Sequence, residues 1–360
     1  MSNIKTLKAL GIAVSTANDG VEIAEILTDG VDVKEIHKAY NVPLDEDLRE
    51  KLSLILHGGE ISPDQFSSLD NEFSDFCAGL ITNFLKENES KIDVIGIDGY
   101  TVYHDTAAHR TKQLGSGRIL SQILKIPAVS NLAGADMLNG GQGYPLSPVY
   151  FEALLNNHPR PLAVVEISGL SEIVFLGASG EMTAFVSGPG NAVINDWVAK
   201  HGGLHTDYNG RLAILGKIND KILLSLMHHK YLAKIPPKAC DKTEFNHKTE
   251  HLEGLSLEDG TATVTAFVAE AIAYSMALYL PEVIKDVYVC GAGAKNPTLM
   301  RFLRQRLPNA ELQILKNPEN VAAQTAAFLA ARRINLLPSS FPFTTGVPVP
   351  CICGELFLPD

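Results

Sequence analysis

The chain has 360 residues, 46% of them hydrophobic, which is longer than one core normally serves and predicts two domains or one domain split around another. Its net charge of -11, with Lys and Arg scattered rather than banked, argues against nucleic acid or an anionic membrane surface as the partner. Five cysteines (Cys77, Cys240, Cys290, Cys351, Cys353) show neither a paired framework nor a CxxC spacing, and neither an apolar leader nor a run of eighteen apolar residues occurs, so a reducing cytoplasm is expected.

In chain order, residues 9–13 read as a strand, 15–20 as a polar turn and 21–27 as a returning strand, together a hairpin with a polar tip. Residues 44–57 and 62–86 read as helices, the second with Phe66, Leu69, Phe73, Phe76 and Leu80 recurring every three or four positions. A strand over 92–98 ends at Gly99, and 116–124 returns as a helix. A second cycle opens with another hairpin, 162–169 and 171–176, and continues through helices to a strand over 286–290. His228 and His229 are adjacent and, on a helix, point about 100 degrees apart, which does not suit a shared metal. Residues 262–280 carry Glu270 among apolar positions and read as a buried helix. The duplication predicts two α/β lobes with a central cleft, where ligands favour the loop ends of strands.

The segment 287–297 is a buried strand pattern, a small-residue turn and a helix start. Gly291 and Gly293 lack a Cβ, so backbone N–H groups there can approach a phosphate. The same pattern also closes α/β units with nothing bound.

Several ordered motifs resemble one family. Gly140-Gly141-Gln142-Gly143-Tyr144-Pro145-Leu146-Ser147-Pro148 is similar to GGQGAPLVP, Gly188-Pro189-Gly190-Asn191 to the end of DTGPGN, and 289–300 to VCGGGSRNPLLM. Pro237-Lys238, Phe245-Asn246 and Thr344-Thr345-Gly346 also fall in place. The chain thus resembles, almost end to end, the anhydro-N-acetylmuramic acid kinases of the actin, hexokinase and heat-shock-70 ATPase superfamily.

That resemblance implies a two-lobed actin-like ATPase or sugar-kinase fold, with residues 1–130 forming an N-terminal lobe, 131–338 a C-terminal lobe, and the tail 339–360 packing back on the first. It implies an enzyme that hydrates and opens the 1,6-anhydro bond of a cell-wall sugar and phosphorylates its 6-oxygen, using ATP and Mg²⁺. A homodimer is implied as well. The nucleotide would meet Thr16, Asp19, Gly20, Gly169, Gly291, Gly293 and Asn296, with Asp19 nearest Mg²⁺. The sugar would meet Thr101, Gly140, Gly141, Gln142, Gly188, Pro189, Gly190 and Asn191.

The departures are concentrated at chemistry. The phosphate hairpin MSGTSLDG becomes Ala13-Val14-Ser15-Thr16-Ala17-Asn18-Asp19-Gly20. HGQTVWH becomes Asp98-Gly99-Tyr100-Thr101-Val102-Tyr103-His104, and DFRRRD becomes Asn131-Leu132-Ala133-Gly134-Ala135-Asp136. The aspartate of DTGPGN, the family's expected general base, is Val186, which accepts no proton. NIGGIAN becomes Glu166-Ile167-Ser168-Gly169-Leu170-Ser171-Glu172, whose two carboxylates would repel a triphosphate. Asp207 is kept, but its companion acid is Asn209. The sequence therefore predicts a family member of weak or lost kinase activity. The alternatives are an active kinase on another anhydro-sugar with Asp98 or Asp136 as catalytic base, or a scaffold or regulatory protein.

Overall fold

The structure, a computed structural model, describes residues 4–14, 20–56 and 61–360. Its contacts divide the chain into unit 1, Met1–Asn157 with Asn320–Asp360, and unit 2, His158–Glu319. The divisions expected at 130/131 and 338/339 both fall inside unit 1. Residues 321–334 pack on the strands 7–14 and 94–98, and the helix 132–138 packs against the strand 110–114, which keeps both stretches in unit 1.

Unit 1 opens with β1 (Leu7–Val14), β2 (Val21–Thr28) and β3 (Val33–Val42), then α1 (Glu46–Leu56) and α2 (Pro63–Asn88). After them come β4 (Val94–Asp98), β5 (Tyr100–Asp105), β6 (Arg110–Leu114), α3 (Gly117–Leu124), β7 (Ala128–Ser130), α4 (Leu132–Leu138) and α5 (Pro148–Leu154). Unit 2 holds β8 (Leu162–Ile167), β9 (Leu170–Leu176), β10 (Met182–Pro189), α6 (Asn191–Gly202), α7 (Asp220–Met227), α8 (Leu257–Tyr279), β11 (Asp286–Cys290), α9 (Pro297–Arg306) and β12 (Glu311–Ile314). The chain then returns to unit 1 as α10 (Val321–Ile334) and β13 (Glu355–Phe357).

The two main sheets repeat one plan. In unit 1 the order is β13-β7-β4-β1-β2-β3, with β1 to β3 antiparallel and β1, β4 and β7 parallel. In unit 2 the order is β10-β9-β8-β11-β12, again an antiparallel trio followed by parallel strands. The fold is α/β, with two main sheets built on one repeated plan. β3, absent from the sequence reading, is an edge strand whose residues are mostly exposed, so it carries little apolar alternation.

Local chemistry fixes the helices. Ser62 caps α2 by accepting from Gln65 N while the Gln65 side chain accepts from Ser62 N, and Pro63 takes the first helical position. Its buried stripe, Leu69, Phe73, Cys77, Ile81 and Phe84, joins the core beneath the sheet. On the alanine-rich α10 side the approach is closer still. A Cβ on Gly11 of β1 would run into the Ala323 carbonyl, and one on Gly96 of β4 into that of Ala326. In unit 2, α8 is long and apolar enough to cross a membrane by length and composition, yet 78% of its apolar window is buried inside the protein, as for a core helix. Trp197 of α6 is fully buried and donates to the Leu257 carbonyl at 3.0 Å. His228 and His229 do not share a helix: His228 follows the end of α7 and His229 starts the 3-10 turn Lys230–Ala233, because the chain turns between them.

Candidate active site

The sequence-nominated residues gather in two groups, one in each unit. In unit 1, Asp98 closes β4 and Thr101 lies on β5. Gln113 of β6 draws them together: its Nε2 lies 3.1 Å from Asp98 Oδ1, 3.2 Å from Thr101 Oγ1, 3.2 Å from the Gly99 carbonyl and 2.8 Å from the Tyr144 hydroxyl. Tyr144 also donates to Asp98 Oδ1 at 3.3 Å. Burial pushes the Asp98 carboxyl above its ordinary value, against the pull of the bonds from Gln113 and Tyr144. Neither Gln113 nor Tyr144 was singled out from sequence. A glutamine on a short polar strand signals nothing until β5 and β6 pair.

The Gly140–Gly143 loop adjoins this group through Tyr144. Asp136, fully buried, holds it: Oδ2 accepts from Gly143 N at 2.7 Å, Oδ1 from Thr345 Oγ1 at 2.7 Å, and the Asp136 carbonyl from Gly141 N at 3.1 Å. Gln142 N in turn donates to the Thr345 carbonyl at 2.8 Å. His104 Nε2 reaches the Gln142 carbonyl at 2.9 Å, and His109 Nδ1 the Gly141 carbonyl at 2.8 Å. Gly143 has φ +85°, where a side chain is strained, and a Cβ there would crowd His104 and Met137. The loop is thus rigidly presented, with both Asp136 oxygens already engaged.

In unit 2 the β8–β9 turn meets the start of α6. Asn191 N donates to the Ser168 carbonyl at 2.7 Å, and Gly190 N and Ala192 N to the Gly169 carbonyl at 3.1 and 3.2 Å. Gly293 lies beside both Ile167 and Asn191, so Gly169, Gly188–Asn191 and Gly291–Gly293 form one contiguous set. Asn296 caps α9, its Oδ1 accepting from Thr298 N and Leu299 N, each at 3.0 Å. Gly291 N donates to the Pro318 carbonyl at 2.7 Å. A phosphate could reach these donors only by displacing Ser168, Gly169, Asn296 or Pro318. Asp207 also works within the fold, accepting from Leu212 N and Ala213 N at 2.7 and 3.1 Å.

Val186 sits on β10, 1% exposed, with its N–H bonded to the Lys238 carbonyl at 2.9 Å and its own carbonyl accepting from the Tyr231 hydroxyl at 2.9 Å. The strand bulges between Val186 and Gly188. Lys238 is buried against Tyr231, Phe185 and Tyr279, and burial lowers its ammonium to about 8.

Of the phosphate hairpin, Thr16 and Asp19 lie outside the described residues. Gly20 is described and packs against Asn41 and Val42 of β3. Among the described residues no group of three or more His, Cys, Asp or Glu is arranged to hold a metal ion. Of the backbone donors in the unit 2 set, those of Gly190, Asn191, Ala192, Gly291, Thr298 and Leu299 are bonded within unit 2.

Comparison with known proteins bears on both groups. The family model described as anhydro-N-acetylmuramic acid kinase matches residues 7–359. An anhydro-N-acetylmuramic acid kinase of Paramagnetospirillum magneticum is 36% identical over 98% of this chain and 99% of its own, and one of Acidiphilium cryptum is 35% identical over 98% and 99%. Among solved structures, a ROK family glucokinase from Streptomyces griseus superposes with TM-score 0.42 at 12% identity, covering 91% of this chain and 99% of that one. Likeness of that degree assigns no activity. The match of the family model along nearly the whole length, with relatives above 30% identity over almost all of both chains, places this chain in the anhydro-N-acetylmuramic acid kinase family.

Proposed function

We propose that this protein is an ATP-dependent kinase of its family whose phosphorylation of anhydro-N-acetylmuramic acid is much slower than that of its relatives. The observation that carries this reading is Val186: the position the family resemblance gives to the general base holds a buried valine, with both backbone groups bonded inside the protein. Loss of a general base costs about 100 to 10,000-fold in rate. The bonded N–H groups of Gly190, Asn191, Ala192 and Gly291 support weak nucleotide binding in the same sense. Within the reading, Asp98, Thr101 and the Gly140–Gly143 loop recognise the sugar. Asp136 positions that loop instead of moving protons, since its oxygens are taken by Gly143 and Thr345. In the same reading ATP with Mg²⁺ supplies the phosphoryl group and the protein works in the cytoplasm as a homodimer, with the family resemblance as the support for each.

The test is transfer of radiolabelled phosphate from ATP to anhydro-N-acetylmuramic acid, with a family enzyme as control. A rate lower by about two to four decades is expected. A rate equal to the control's would overturn the reading. No transfer at all, with sugar binding intact by calorimetry, would make the protein a binding or regulatory one.

A further inference from the structure

The strand register of unit 2 places an acid beside the valine. Val186 on β10 lies directly opposite Glu172 on β9, Glu172 directly opposite Glu166 on β8, and Glu166 beside Cys290 on β11. Directly opposed residues of an antiparallel pair share one face, with Cβ atoms about 4.5–5.5 Å apart. Phe185, the neighbour of Val186, turns to the other face, where its ring meets Tyr279 of α8. Glu172 and Val186 therefore project together, on the side away from α8.

Three further observations favour Glu172. Val186 is 1% exposed, whereas Glu172 is half-buried and so reachable. The β10 bulge begins at the Val186–Glu172 pair, and bulges re-aim side chains beside active sites. The row also lies at the carboxyl end of the parallel strands β8 and β11, where open α/β sheets bind their ligands. Burial, then Cys240, and then the charge of Glu172 raise the Tyr231 phenol well above its ordinary value, and Tyr231 is bonded to the Val186 carbonyl.

We propose that Glu172 stands in for the lost base, its carboxylate one strand across from the position of Val186, and that this displaced acid sustains transfer at the reduced rate of the kinase reading. The inference rests on the kinase reading above. Glu172 takes a proton from a water molecule, whose oxygen forms a bond to C1 of the anhydro-sugar. The C1–O6 bond breaks with its electron pair on O6. That oxygen forms the new bond to the γ-phosphorus of ATP, ADP departs with the pair of the broken P–O bond, and Glu172 releases its proton to solvent.

The experiment compares wild type, Glu172→Gln and the double variant Glu172→Asn with Val186→Asp, measuring transfer rate, sugar and ATP binding by calorimetry, and Tm. Glu172→Gln is expected to lower kcat about 100-fold or more, leave both affinities within about threefold, and lose the low-pH limb of the rate profile. The double variant, which returns the family's aspartate to position 186 and its asparagine to position 172, is expected to exceed the wild-type rate. Unchanged kcat in Glu172→Gln, or equal loss of sugar binding and rate, would overturn the assignment while leaving the kinase reading intact. A wild-type protein that transfers no phosphate would overturn the kinase reading, and this assignment with it.

Discussion

The two units share a strand order and differ in what stands at the strand ends. Unit 1 ends β4 in a carboxylate tied into a closed polar set, Asp98 with Gln113, Thr101 and Tyr144, next to a loop anchored by Asp136. Unit 2 ends β8 and opens β9 on two opposed carboxylates beside a buried valine. A scaffold fixed by backbone pairing tolerates exchange of the groups at its strand ends, because the register holds whichever side chain is there. Divergence within such a fold therefore first alters chemistry and leaves architecture in place.

Five measurements break or sharpen the contrast, from the largest effect downward. Gly11→Ala drives a methyl into the Ala323 carbonyl and is expected to cost about 3 kcal/mol or more in urea unfolding. Asp136→Ala strips partners from Gly143 N and Thr345 Oγ1, and a loss of about 2–4 kcal/mol, with weakened sugar binding, is expected by the same titration. If the loss is below about 1 kcal/mol, the anchor role of Asp136 is wrong.

Lys238 separates the units by pH. Its ammonium is lowered to about 8 from an ordinary 10.5, so the folded state gains stability as the pH rises from about 8 toward 10.5. The raised Tyr231 phenol opposes this above its ordinary 10.0, which confines the gain to about pH 8–10. Lys238→Met is expected to flatten that rise in a Tm series, by up to about 3 kcal/mol at its ends. Asp98 works in the other direction. Its carboxyl is raised, so stability present below the ordinary value of 3.8 is lost as pH climbs through the folded value. Asp98→Asn should thus be more stable than wild type at pH 7 and no more stable at pH 3, while KM for the sugar rises; a fall in kcat alone would instead make Asp98 the base. Last, Gly79→Ala meets nothing within 4 Å inside α2 and should gain about 0.5–1 kcal/mol.

Much of this was legible in the chain. The hairpin over 9–27, the helices at 62–86 and 116–124, and the strand at 286–290 were written in apolar periodicity, and the structure has β1, β2, α2, α3 and β11 there. The 28–45 region was not, because β3 is an exposed edge with charged residues on both faces. α10 also escaped notice: its burial rests on small alanines against Gly11 and Gly96, which no hydrophobic period announces. At the candidate site, motifs found the loops but not their ties. Gln113 and Thr345 act through pairings distant in sequence. Glu172 read as a charge hostile to phosphate, and only the β9–β10 register sets it opposite Val186.

The division of the chain also bears on how the protein is made. Unit 2 is one continuous stretch, His158–Glu319, whereas unit 1 needs both chain ends, with α10 laid against β1 and β4 and β13 completing the sheet edge. A ribosome therefore delivers everything unit 2 requires before the last segment of unit 1 emerges. During synthesis the β1 and β4 surface around Gly11 and Gly96 waits uncovered while residues 99–320 are added, until α10 arrives to close it.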